Sequence, residues 1–125
     1  MLFDTDVLIW ALRGNAKAAK AVDDCESRSL SVITFMELLQ GARDKHEARG
    51  IKAFLADMQF RVLPLTENVG HRALIYIEEY GLSVSMGTAD ALIAATAIEA
   101  NDSLLTANDK HYKPIKELAL ERFRP

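Results

Sequence analysis

The chain has 125 residues, half of them hydrophobic and about a quarter charged. That fits a single soluble domain spanning residues 1–125, able to bury a core without staples. Its one cysteine, Cys25, excludes an intrachain disulfide and stands among Asp23, Asp24 and Glu26, which disfavour a thiolate. With 15 basic and 18 acidic residues the net charge is −3. This speaks against a nucleic-acid partner unless some acids hold cations that reverse the local field.

No apolar run approaches the ~18 residues of a membrane span. The opening MLFDTDVLIW has neither a basic n-region nor a small-residue cleavage site, so no secretory leader is expected and a cytoplasmic location is.

In chain order, Met1 to Phe3 reads as a short buried strand ending in acids. Val7 to Leu12 has helical spacing and stops at Gly14-Asn15. Asn15 then caps a helix to about Glu26. Ser29 to Ile33 reads as a second strand. Thr34 with Glu37 three residues later forms a capping-box pattern opening a helix to about Arg43. A polar, basic stretch precedes a helix ending near Met58, and Phe60 to Leu63 is a third strand closed by Pro64. Thr66 starts a helix with Val69, Ala73, Tyr76, Ile77 and Tyr80 on one face, stopped by Gly81. Thr88 caps a helix to about Ala100, Ser103 to Leu105 is a strand, and a last short strand falls near Glu121 to Phe123.

Strands alternating with helices predict an α/β fold, a three-layer arrangement with a parallel central sheet and helices on both faces. Ligands of such sheets gather beyond the carboxyl ends of the strands. Four acids fall where that edge is expected. Asp4 follows the first strand, and Glu37 lies in the first turn of the helix after the second. Asp90 lies in the first turn of the helix from Thr88, and Asp109 follows the strand at Ser103–Leu105.

Asp90 is the most informative of them. Its helix, ALIAATAI, is apolar almost all round and so expected to be buried. A buried carboxylate without a partner is costly, and no neighbouring base in the sequence answers it. A divalent cation is the simplest neutralising group, and Mg²⁺ takes one or two carboxylates plus waters and phosphate. Each acid also has a plainer reading. Glu37 completes a capping box, Asp4 or Asp6 caps the first helix, and Asp109 caps a short helix before Pro114.

The blocks around these acids resemble a known family. MLFDTDVLIW is similar to the D-T-N/S-x-L opening of PIN domains, the fold of VapC-type toxins. SVITFMELLQGA, TADALIAATAIEAN and LLTANDKHYKPI resemble the second, third and fourth blocks, and ERFRP a common ending. The resemblance implies a three-layer PIN fold and a metal-dependent endoribonuclease, with Mg²⁺ or Mn²⁺ held by Asp4, Glu37 and Asp90 and with Asp109 as a further catalytic acid. The ion would polarise the scissile phosphate and activate a water. Lys110 and Lys113, and the basic run Arg43, Lys45, Arg49 and Lys52, are candidates for RNA phosphate contacts; a solvated face accounts equally for the second group. The resemblance further implies an antitoxin partner that sends a basic side chain to the acids, and a homodimer. Phe35, Leu38, Leu39, Ile51, Phe54 and Leu55 are available either for that dimer or for the core.

Two departures stand out. Asp6 occupies a position usually Asn or Ser, and His111 occupies the register of the fourth-block acid, with Asp109 two positions early. The fourth position therefore falls to Asp109, to Asn108 or to neither. Two other readings compete: a PIN domain turned binding module, and a haloacid-dehalogenase-like phosphatase suggested by the D-x-D opening. The second lacks the glycine after the second Asp and the later paired-acid motif.

Overall fold

The computed structural model describes residues 1–125. The elements in order are β1 (Leu2–Phe3), α1 (Thr5–Leu12), α2 (Ala16–Asp24), β2 (Ser29–Ser31), α3 (Val32–Gln40), α4 (Lys45–Asp57) and β3 (Arg61–Leu63). They continue with α5 (Glu67–Tyr80), α6 (Thr88–Glu99), β4 (Leu104–Thr106), a 3₁₀ turn at Asp109–His111, and β5 (Leu120–Arg122). The five strands form one sheet in the order β3-β2-β1-β4-β5, and every pairing is parallel.

Alternation along the strands splits the core in two. Leu2 and Leu104 face one side with α5 and α6, packed by Val69, Ala73, Tyr76 and Ile93. Phe3, Leu30 and Leu105 face the other with α1 to α4, packed by Val7, Leu8, Leu38 and Leu55. The three-layer expectation is met. Helix α6 buries Ala91, Ile93, Ala94, Ala95, Thr96 and Ala97; its alanines let α5 and the sheet approach closely. No helix is long and apolar enough to cross a membrane.

Several caps differ from expectation. Asp4 caps α1, accepting from Thr5 N, and Asp6 lies in its first turn. Asn15 caps α2 as expected, through Ala18 N. The capping box at Thr34 does not form. Ser31 ends β2 and caps α3 three residues earlier, its Oγ accepting from Ile33 N at 3.1 Å. Glu37 is therefore mid-helix rather than in the first turn, and its carboxylate is free for other partners. Gly87 rather than Thr88 precedes α6, with no side-chain cap. The acid Asp90 in the first turn complements the uncapped helix start.

Leu38, Ile51 and Leu55 are buried in the core, with Phe35, Leu39 and Phe54 packed against it. The core takes Leu38, Ile51 and Leu55, while Phe35, Leu39 and Phe54 keep part of their surface exposed.

Candidate active site

In a parallel sheet every strand ends at the same edge, and helices leading away from or returning to that edge place their ends there. Asp4 is the first residue beyond β1. Its side chain is 5% exposed; Oδ1 accepts from Thr5 N at 2.8 Å and Oδ2 from Thr106 Oγ1 at 2.7 Å. Burial first, and the charge of Asp6 second, push its carboxyl from the ordinary value near 3.8 up to about 7. The two hydrogen bonds work in the opposite direction and are outweighed.

Asp6 is turned to the same edge. Its Oδ2 accepts from Ala107 N at 3.1 Å, while Oδ1 is buried and has no hydrogen-bond partner. Burial raises its carboxyl, and the charge of Asp90 adds to the effect.

Glu37 reaches the edge from α3. Its Oε1 accepts from Thr5 Oγ1 at 2.7 Å, and Thr5 Oγ1 is also 3.0 Å from Thr34 Oγ1. Thr5 thus ties Glu37 to the loop that carries Asp4.

Asp90 is half-buried rather than fully buried, and it does have neighbours. Oδ1 accepts from the Tyr112 hydroxyl at 3.2 Å, and Oδ2 lies 3.1 Å from His111 Nδ1. The expectation of a buried, unanswered Asp90 is corrected: tertiary structure supplies partners from the segment after β4. Asn108 Nδ2 lies 3.2 Å from the same ring nitrogen. Burial first, then the charges of Asp4 and Asp90, lift the Tyr112 phenol far above its ordinary range. Tyr112 stays protonated and donates.

Asp109 is placed differently. Its Oδ2 accepts from Arg122 Nη2 at 2.8 Å and Nε at 3.1 Å, with Lys113 Nζ at 3.4 Å. The Arg122 guanidinium holds its carboxyl below the usual range. No hydrogen bond joins it to Asp4, Asp6, Glu37 or Asp90. Of the two candidate phosphate contacts beside it, Lys113 faces Asp109 and Lys110 is exposed without an ion pair. Arg43, just before α4, pairs with Glu47 at 2.6 Å, while Lys45, Arg49 and Lys52 on α4 are exposed.

Thr5, Thr106 and Tyr112 organise the acids, and sequence reasoning gave them no role. Their signal is faint: a threonine directly after Asp4, and a tyrosine buried beyond an otherwise polar run.

No three acidic or imidazole side chains stand close enough to ligate one ion on their own. That is compatible with Mg²⁺ chemistry, in which waters and substrate phosphate complete the shell. Two observations fit a divalent cation here. Asp6 Oδ1 is a buried acceptor with no hydrogen bond, and none of Asp4, Asp6 and Glu37 is paired with Lys or Arg.

Residues 1–118 match the sequence model of the PIN domain family. The chain is 36% identical to Ribonuclease VapC1 of Rickettsia felis over 124 residues, covering 94% of this chain and 92% of that protein. It is 35% identical to Ribonuclease VapC10 of Mycobacterium tuberculosis, covering 94% and 90%. A toxin–antitoxin complex from Klebsiella pneumoniae contains a chain with TM-score 0.80 and 28% identity, covering 94% of both chains. The VapBC2 structure from Rickettsia felis, bound to a promoter DNA fragment, matches with TM-score 0.82 and 22% identity over 98% of both, a likeness of fold. With the parallel sheet and the acids gathered at its carboxyl edge, these matches settle the family: the chain is a PIN domain and belongs with the VapC ribonucleases.

Proposed function

We propose that residues 1–125 form one PIN domain acting as a divalent-metal-dependent endoribonuclease, the toxin of a VapBC-type pair, in which Asp4, Glu37 and Asp90 hold Mg²⁺ or Mn²⁺. The observation that carries this reading is the linkage of the three acids. Thr5 connects Glu37 to Asp4's loop, the Tyr112 hydroxyl donates to Asp90 Oδ1, and the charges of Asp4 and Asp90 both act on that phenol.

A bound divalent ion supplies Lewis-acid activation of the phosphodiester and of the attacking water. The chain's own residues do the positioning. Thr106 and Thr5 N fix both oxygens of Asp4, and Thr5 Oγ1 orients Glu37. Tyr112 holds one oxygen of Asp90, and His111 stands against the other. Such preset acceptors need little rearrangement when charge arrives. Lys110, exposed beside the edge, is free to meet RNA phosphate.

An antitoxin segment is the proposed occupant of the groove between α1, α3 and α4. The groove encloses about 830 Å³ and is lined by Ile9, Leu12, Leu38 and Ile51 together with Arg13 and Glu37. An apolar helix or strand laid there would bring a basic side chain to Glu37, one of the three acids. A cytoplasmic location follows from this role.

The test is cleavage of structured RNA by the purified chain with Mg²⁺ or Mn²⁺, stopped by EDTA. Asp4→Asn and Asp90→Asn should each abolish cleavage while folding normally. Full activity in either folded variant would end the metal-nuclease reading.

A further inference from the structure

Two acids compete for a further place beside Asp4, Glu37 and Asp90, and their surroundings differ sharply. Asp109 has a cationic shell of its own. Arg122 gives its Oδ2 two N–H bonds, and Lys113 stands on the same oxygen. Those contacts occupy Oδ2, and two cations beside the carboxylate weaken its attraction for a metal. Asp6 has the opposite surroundings. One oxygen is held by Ala107 N at 3.1 Å, with Thr106 Oγ1 at 3.5 Å. The other, Oδ1, exposes under 1 Å² and has no hydrogen bond, although the Val7 N–H lies near enough to the carboxylate to pull its pKa down.

Backbone placement puts Asp6 at the right edge. It lies in the first turn of α1, two residues past Asp4, with Ala107 and Thr106 clasping it from the end of β4. Thr106 Oγ1 is shared with Asp4, bonded at 2.7 Å. The charge of Asp6 acts on Asp4, and that of Asp90 acts on Asp6. No lysine or arginine answers it. A buried carboxylate oxygen without a hydrogen bond is costly to keep, and a bound cation is what would satisfy it.

We infer that Asp6, through its unpartnered Oδ1, is the additional metal-binding carboxylate of this site, and that Asp109 instead ties the segment after β4 to β5 through Arg122. The inference rests on the proposed metal site and adds to it the identity of the remaining ligand. It also gives a physical account of Arg122 and Lys113, which hold the competing acid away.

The test is Mn²⁺ binding to the purified, metal-stripped chain, read by titration calorimetry and by the Mn²⁺-induced rise in melting temperature, with no RNA present. Asp6→Asn keeps size and can still accept from Ala107 N, so the apo fold is checked by circular dichroism. The Mn²⁺ dissociation constant of Asp6→Asn should rise at least about tenfold, and its melting shift should shrink in step. Asp109→Asn should bind Mn²⁺ within about twofold of the parent, since its oxygen is not a ligand. Asp4→Asn is the reference for loss of the site itself. If Asp4→Asn loses Mn²⁺ while Asp6→Asn binds like the parent, the assignment of Asp6 is overturned and the metal site stands. If Asp109→Asn loses Mn²⁺ and Asp6→Asn does not, the two acids have been assigned in reverse. If the parent itself takes up no Mn²⁺, the metal reading and this inference both fall.

Discussion

Thr106 Oγ1 donates to Asp4 Oδ2 at 2.7 Å, joining the end of β4 to the end of β1 across 102 positions of sequence. The same oxygen accepts from Asn108 N at 3.0 Å. Thr106→Val keeps the shape but leaves a buried carboxylate oxygen and a backbone N–H unmatched. It should lower the apo stability by about 1–3 kcal/mol, read as a fall in the urea midpoint at constant m-value. Thr106→Ser should recover most of the loss. An unchanged midpoint in Thr106→Val would mean that water replaces the hydroxyl without penalty.

The carboxyl of Asp4, lifted from near 3.8 to about 7, makes apo stability depend on pH in a defined direction. Between those values the native state holds a proton that the unfolded chain has released. Stability therefore falls as pH rises through that window, and Asp4 contributes no slope below it. The full effect is on the order of 4 kcal/mol. Asp4→Asn removes it, so in EDTA the variant should be more stable than the parent at pH 8 and about equal to it near pH 4. Urea midpoints of both proteins across that range check this. A difference between them that does not change with pH would show that Asp4 titrates normally.

The large pattern of the fold was readable because it depends on local signals that tertiary context does not override. The alternation of strands and helices, the apolar circumference of α6 and the Asn15 cap all carry into the structure. Boundaries were less secure where two residues compete for one role. Ser31 and Thr34 both offer a hydroxyl, and the sheet register, with Ser31 opposite Leu63, ends β2 at the earlier one. The placing of Asp4, Glu37 and Asp90 at one edge follows from parallel topology. The partners of Asp90 did not follow, because His111 and Tyr112 lie 21 and 22 residues further along. No local pattern reports such a contact. The same limit hid Arg122, which reaches Asp109 from β5.

Asp109 gives a contrasting prediction. Its carboxyl is held low by Arg122, so its contribution to stability is present at neutral pH and is lost as pH falls through the lowered value. Asp109→Asn should destabilise the chain at pH 7 and converge with the parent in acid. Its metal-dependent RNA cleavage should stay within about threefold of the parent, an effect of under about 1 kcal/mol on the barrier. Loss of cleavage by two orders of magnitude in a folded Asp109→Asn protein would place this acid in the reaction after all.

The last prediction concerns self-association. Leu38, Ile51 and Leu55 of α3 and α4 are buried in the core, and the two most exposed large apolar side chains lie on and after α5. Leu74 and Ile75 on α5 are 56% and 40% exposed, and Leu82, just beyond its end, is fully exposed. Large side chains left outward in this way mark association surfaces when they lie together. The chain should therefore run as a dimer by light scattering at micromolar concentration. Leu74→Glu combined with Leu82→Glu should convert it to a monomer, because a charge placed on an apolar contact must be desolvated without a partner. Both positions are exposed, so the variant should keep the parent's circular dichroism. A parent that scatters as a monomer would remove the homodimer. A dimer that survives the double substitution would move the contact away from α5.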